Sequence, residues 1–138
     1  IVGTTDGVEP SGNAVMARIL LALGHYFENS RYIDRAVNMV INLRERIVAY
    51  PAAYSGWAGV ALELAYVKTT LVITGPDAGK NAAILNRKFL PGVLIAAATL
   101  KSGLPVFRER FVTDKNLIYR CEGNTCFTPV GSVVDLIL

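Results

Sequence analysis

The chain is predicted to be an α+β or α/β protein: antiparallel helical hairpins over residues 1–67, then a small α/β extension with a short sheet over 68–138. Two observations carry this. Apolar residues recur at helical spacing, or fill whole helices, as far as Val67, and a β-branched run, Thr69 to Thr74, begins directly after Lys68. From there Gly-Pro turns punctuate the chain, and an apolar strand is followed by a short helical stretch and a second apolar strand.

From Ala14 to Leu23 the only polar side chain is Arg18, so the first helix is apolar on every face and belongs inside an assembly. Ser11 is its N-cap, with Pro10 and Gly12 shaping the entry. Between Arg31 and Val48, Ile33, Val37, Val40, Ile41 and Ile47 form one face, while Asp34, Arg35, Asn38, Asn42, Glu45 and Arg46 form the other. This is an outer, amphipathic helix capped by Ser30. After the break at Pro51, Ala52 to Val67 carries Glu63 as its single charge and reads as another inner helix. Short links, Glu28-Asn29-Ser30 and Tyr50-Pro51, make these helices antiparallel neighbours, as in stacked hairpins or an α/α toroid. Three helices cannot close such a ring, so the remaining wall is expected upstream, in a longer protein of which this chain is a segment. The absence of an initiator Met fits either a processed product or a segment of a longer protein, and the buried character of the first helix favours the segment.

In the second half, Thr69 to Thr74 is a strand ending in the Gly75-Pro76-Asp77 turn, and a helix from Ala78 to Phe89 is stopped by Leu90-Pro91-Gly92. Val93 to Ala97 is a second strand, parallel to the first because a helix separates them. Asn116 to Cys121 is a third strand and Val133 to Leu138 a short terminal helix.

A hydrophobic fraction of 52% with only 18% charged residues suggests apolar surface seeking a partner, so an isolated chain is expected to self-associate. Arg18, Arg31 and Glu63 interrupt the longest apolar runs before they reach the ~18 residues of a membrane span. No secretory signal is visible, and a cytoplasmic location is expected. The net charge of +3 is dispersed among neighbouring acids rather than gathered with aromatics, which argues against nucleic-acid binding.

The most suggestive segment is Asp6-Gly-Val-Glu9-Pro-Ser11-Gly-Asn13 at the mouth of the first helix. Two acids flanking a glycosidic bond can serve as general acid and base, and a helix N-terminus stabilises an ionised carboxylate, so Asp6 and Glu9 are the candidate catalytic residues. Ser11, Asn13, Tyr54 and Trp57 are the candidate substrate-binding residues at the same mouth, the two aromatics able to stack on a sugar ring. The competing reading is structural: Asp-Gly and Glu-Pro are ordinary loop pairs, and buried aromatics are good anchors without a ligand.

Three other motifs weaken on inspection. Ile1-Val2-Gly3 matches the mature start of chymotrypsin-like proteases, but the single His25 has no suitable serine context. Gly75-Pro-Asp-Ala-Gly79-Lys80-Asn81 lacks one residue of a phosphate-binding loop, and Asn81 stands where a magnesium-holding hydroxyl belongs; a plain turn and capped helix is favoured. Cys121 and Cys126 flank a short turn that brings their sulfurs together, as a disulfide or as two thiols; reduced thiols in a hairpin are the favoured reading. No metal site is expected, because a zinc centre needs about four ligands, and no cofactor is expected.

Taken together, Asp6 to Asn13, Tyr54-Ser-Gly-Trp57, Leu71-Val-Ile-Thr-Gly75, Phe89-Leu-Pro-Gly92 and Cys121-x4-Cys126-Phe-Thr-Pro129-Val130 resemble the thioredoxin domain-containing family of YyaL-like and spermatogenesis-associated thioredoxin-like proteins. The resemblance runs in order along nearly the whole chain. It implies an N-terminal thioredoxin-like domain followed by a six-hairpin α/α toroid related to glycosidases and sugar epimerases, with this chain as its C-terminal part. The implied partners are the upstream toroid helices, the thioredoxin-like domain and a carbohydrate ligand. The family's Cys-x-x-Cys is absent here, so its redox chemistry transfers to no residue of this chain. The expected function is a C-terminal portion without catalysis of its own; the alternatives are part of a carbohydrate-active site in the toroid cavity, or a protein-interaction module.

Overall fold

The computed structural model describes residues 3–123 and 125–137. The chain divides into two compact units, Ile1–Tyr66 and Val67–Leu138. Its class is mixed α and β, with five α-helices and one four-stranded mixed sheet among the described residues. Among the described residues no helix is long and apolar enough to cross a membrane. Ile1 and Val2, which carried the protease-like start, lie outside the described residues.

The first unit is helical: α1 (Gly12–Tyr26), α2 (Ser30–Ile41), α3 (Arg44–Ala49) and α4 (Ser55–Ala65), with a 3-10 turn at Pro51–Tyr54 leading into α4. Ser11 caps α1 as predicted, its hydroxyl accepting from the Ala14 amide at 3.3 Å. The helix ends in a left-handed residue, Glu28 at φ 48°, and the Asn29 amide closes back on the Gly24 carbonyl at 2.9 Å. Two details of the next helix differ from expectation. Asn29, not Ser30, caps α2, accepting from the Arg31 amide at 3.1 Å, and the predicted single helix is broken at Asn42-Leu43. At the break the Leu43 amide bonds to the Val40 carbonyl, a tighter turn than an α-helix makes, and Leu43 and Ile47 on the two sides both pack onto the core.

That core consists of Ala14, Ala17, Leu20 and Leu21 from α1, Ala36 from α2, Tyr54, and Trp57 and Val60 from α4. Small residues at the contacts let the helices approach closely: a methyl group at Gly24 would run into Ile33 of α2. Burial is confined to one side of each apolar helix. On α1, Val15, Met16 and Ile19 remain 44–49% exposed, and on α4 Leu62 remains 59% exposed. These helices are therefore apolar all round but covered on one side only.

The second unit is built around β1 (Thr69–Thr74), buried along nearly its whole length. Strand β2 (Val93–Ala98) pairs parallel to β1 and β3 (Leu117–Glu122) antiparallel to it, while the two-residue β4 (Thr125–Cys126) pairs with β3, giving the order β2-β1-β3-β4. Helix α5 (Ala78–Asn86) connects β1 to β2, the predicted strand-helix-strand unit. It packs Ala78 and Leu85 against Leu71, Ile73, Ile118 and Val133. The helix stops three residues short of the expected Phe89, because the Arg87 and Lys88 amides bond to carbonyls three residues back and tighten the last turn; Phe89 is 91% exposed.

The predicted terminal helix is a single 3-10 turn, Val133–Asp135, capped by Ser132; Leu138 lies outside the described residues. The segment before β3, which has no clear period in sequence, contains a 3-10 turn at Pro105–Phe107 that buries Val106 and Phe107.

Candidate functional site

Asp6 gathers directed contacts from three segments of the helical unit. Its two carboxylate oxygens are both engaged: Oδ1 accepts from the Ser11 amide and Oδ2 from the Gly56 amide, each at 2.7 Å. Both donors belong to helix N-termini, where amides have no intrahelical acceptor. Tyr54, at the N-cap position of α4, offers no side-chain bond, so Asp6 supplies the cap from fifty residues away. The Asp6 amide in turn donates to the Ala53 carbonyl at 2.8 Å, and the Trp57 indole donates to the Thr4 carbonyl at 2.8 Å. Gly56 fits closely here: a Cβ would stand 3.0 Å from Asp6 Oδ1 and 3.3 Å from the Ala14 methyl, so these groups would have to give by a few tenths of an ångström. The result is a clasp holding the N-terminal loop across the starts of α1 and α4.

The other candidate residues are distributed unevenly around this clasp. Glu9 is exposed, and its carboxylate has no hydrogen bond among the described residues. Asn13 donates from its side chain to the Gly3 carbonyl at 3.2 Å, tying down the loop. Ser11 is buried as the cap of α1. Tyr54 and Trp57 are packed inside the unit, at 4% and 1% exposed, so neither ring presents an open face in this chain.

One pair escaped the sequence reading. Arg18 and Glu63, the single charges of the two apolar helices, meet at 2.9 Å, and Gly59 leaves room for the guanidinium to pass. The signal was present, since a lone cation and a lone anion on neighbouring apolar helices have strong reason to pair.

In the α/β unit, the turn with the spacing close to a phosphate-binding loop has two of its backbone donors engaged within the protein. The Asp77 amide donates to Asn116 Oδ1 at 2.8 Å and the Ala78 amide to the Gly75 carbonyl at 3.0 Å. Asn116 also donates to Asp77 Oδ2 at 2.9 Å, and Lys80 reaches Oδ1 at 3.3 Å. The Asn116 hydrogen bond, then Lys80, hold the Asp77 carboxyl below the usual carboxylate range. Gly75 has φ 111°, a left-handed value, and a Cβ there would collide with the Lys115 carbonyl, so the turn sits directly on the entry to β3.

Cys121 and Cys126 are joined as a disulfide, which corrects the preference for reduced thiols. The cause is register. Gly123, at φ 57°, helps turn the chain so that β4 pairs Cys126 directly opposite Cys121 on β3. Arg110 donates to Cys126 Sγ at 3.1 Å and to the Val106 carbonyl at 2.7 Å. A cleft of about 380 Å³ lies in the preceding segment, lined by Lys101, Ser102, Leu104, Phe107 and Arg108 among others. Among the described residues no group of three or more His, Cys, Asp or Glu is placed to hold a metal ion.

The chain is 27% identical over 142 aligned residues to spermatogenesis-associated protein 20 of Homo sapiens. The alignment takes in 95% of this chain but 18% of that protein, so the chain spans less than a fifth of its relative's length. The relationship is distant. No family model matches the chain, and no solved structure matches it.

Proposed function

We propose that this chain serves as the C-terminal part of a longer thioredoxin domain-containing polypeptide, with α1 and α4 as inner helices of an α/α toroid whose other hairpins close over them. The observation that carries this reading is the pair of helices with a finished core on one side and apolar side chains left open on the other. Covering Val15, Met16, Ile19 and Leu62, each about half exposed, would contribute roughly 4 kcal/mol in all. The match of nearly the whole chain to a small share of a much longer relative supports the same reading. In it Asp6 fixes the starts of two inner helices and carries out no chemistry.

Light scattering and binding of a hydrophobic dye test the proposal. The chain by itself should associate or bind dye, and charged substitutions at Met16 and Ile19 should abolish both; a monomeric, dye-silent wild-type chain would refute it.

A second reading is favoured by one feature, the exposed and unbonded carboxylate of Glu9 beside the clasped Asp6 segment. In it, Glu9 is the proton-transferring group of a carbohydrate site completed by the parent toroid, and Asp6 only positions the loop. Glu9→Gln in the intact parent would then abolish turnover of a carbohydrate substrate without changing its melting temperature; unchanged turnover would end this reading.

A further inference from the structure

We propose that Cys121 and Cys126 form a thiol–disulfide exchange site, with Cys126 as the reactive sulfur and Arg110 as the group that stabilises its thiolate. This rests on the α/β unit alone and is independent of the toroid reading.

The two sulfurs are not equivalent. Cys121 lies on β3, next to the central strand, and is 5% exposed, whereas Cys126 lies on the two-residue edge strand and is half-buried. An incoming thiolate therefore meets Cys126 first. The cation beside that sulfur is fixed in place rather than draped over the surface. Thr74, itself 1% exposed, donates its hydroxyl to the Arg110 carbonyl at 2.9 Å, and the guanidinium is anchored on the Val106 carbonyl before it reaches Sγ. No carboxylate pairs with Arg110 among the described residues, so its charge is not spent elsewhere. The nearest charged strand residues, Arg120 and Glu122, alternate to the opposite face of β3 from Cys121, where they pair with each other at 3.6 Å. Arg120 also covers the Phe127 ring at 4.1 Å. Across the ladder from Cys121 stands Thr70, which carries no charge. A partly exposed cysteine whose sulfur accepts from a guanidinium with no carboxylate partner is the setting that favours a thiolate and makes a cysteine reactive.

The chemistry balances with a dithiol as the reductant. One reductant thiolate attacks Cys126 Sγ, forming a mixed disulfide and breaking the bond to Cys121, whose sulfur leaves with the electron pair and takes a proton. The second reductant thiolate then attacks the reductant's own sulfur, closing the reductant disulfide and releasing Cys126 as a thiolate against Arg110. The protein gains two electrons and the dithiol loses two. Run in reverse, the Cys126 thiolate attacks an oxidised partner and Cys121 resolves the mixed disulfide. A sequence separation of five closes a short loop, which constrains the unfolded chain less than a long-range crosslink would. The main apolar cluster of the unit, with Leu71, Ile73, Leu85 and Ile118, contains neither cysteine, although Cys121 is itself buried.

The test uses the whole chain, reduced with dithiothreitol, freed of reductant and alkylated with iodoacetamide across pH 5–10, with each site quantified by fragment-ion mass spectrometry. Cys126 should be modified about tenfold faster than Cys121 at pH 7, with a pH midpoint below the ~8.5 of a free cysteine. Arg110→Met should raise that midpoint and slow alkylation at pH 7 about tenfold, since one unit of midpoint is a factor of ten in thiolate. Arg110→Lys, which keeps the charge, should recover most of the rate. Equal alkylation of the two wild-type thiols overturns the proposal whatever the variants do. So does an Arg110→Met profile that superimposes on the wild type, or an Arg110→Lys profile no better than Arg110→Met.

Discussion

The clasp at Asp6 makes a quantitative demand. Replacing Asp6 with Ala removes the acceptor for two N-terminal amides, Ser11 and Gly56, each bonded at 2.7 Å. A hydrogen bond to a charged acceptor contributes about 1.5–3 kcal/mol, and the half-buried position of Asp6 places each bond near the lower end, because water partly replaces the lost carboxylate. The pair should then cost about 3 kcal/mol. Asp6→Asn should cost roughly 2 kcal/mol, since the amide oxygen replaces one acceptor while the NH2 faces the other donor. Trp57, the only tryptophan, lies in the helical unit and bonds to Thr4 in the same loop, so its fluorescence in a urea titration reports this unit directly. For a unit of this size about 3 kcal/mol corresponds to a fall in melting temperature of more than about 10 °C. Glu9→Gln, with no bond to lose, should stay within about 0.5 kcal/mol of the wild type. A loss below about 0.5 kcal/mol for Asp6→Ala would refute the capping argument and reopen a chemical role for this residue.

Other consequences follow from single contacts. A double-mutant cycle of Arg18→Ala and Glu63→Ala should give a coupling of about 0.5–1 kcal/mol, because the arginine is half exposed and salt screens the pair; repeating the cycle in high salt should reduce it. Gly75→Ala should destabilise the α/β unit by at least about 2 kcal/mol, as the added methyl combines a left-handed backbone with a collision against Lys115; unchanged circular-dichroism melting would contradict this. Asp77 links folding to acid. Its carboxyl is held low in the folded chain, so its contribution is complete above the ordinary value near ~4 and is lost as pH falls through the lowered one. Asn116→Ala removes the largest cause, so the Asp77 titration followed by NMR should move up towards the ordinary value.

Much of the helical unit was legible because its signals are local. Ser11 precedes an apolar run and caps it; Pro51 ends one segment and begins the 3-10 turn of the next; the β-branched Thr69–Thr74 run became the central strand with the residues predicted. The failures are equally physical. At Asn42-Leu43 the only local mark is Asn42, a weak helix former that caps α2, and the apolar spacing runs on through the break to Leu43 and Ile47, which both pack on the core. The left-handed turn after α1 is made by Glu28 instead of the usual glycine and carries no sequence mark. At the candidate site, Asp6 stood out by composition, but its partner Gly56 lies on another helix. The two amides that Asp6 accepts from lie five and fifty residues away, and no local pattern records the second.

Local chemistry in the chain determined the order of elements, the strand-helix-strand unit and the apolar character of α1 and α4, because propensity, capping and periodicity act over a few residues. Tertiary structure alone decided which side of each apolar helix is covered, that Arg18 meets Glu63, that Cys126 stands opposite Cys121 as its bonded partner, and that Arg110 reaches that sulfur. Those outcomes depend on register and on contacts between segments far apart in sequence, where one residue of slip exchanges the faces of a strand and no local pattern records the result.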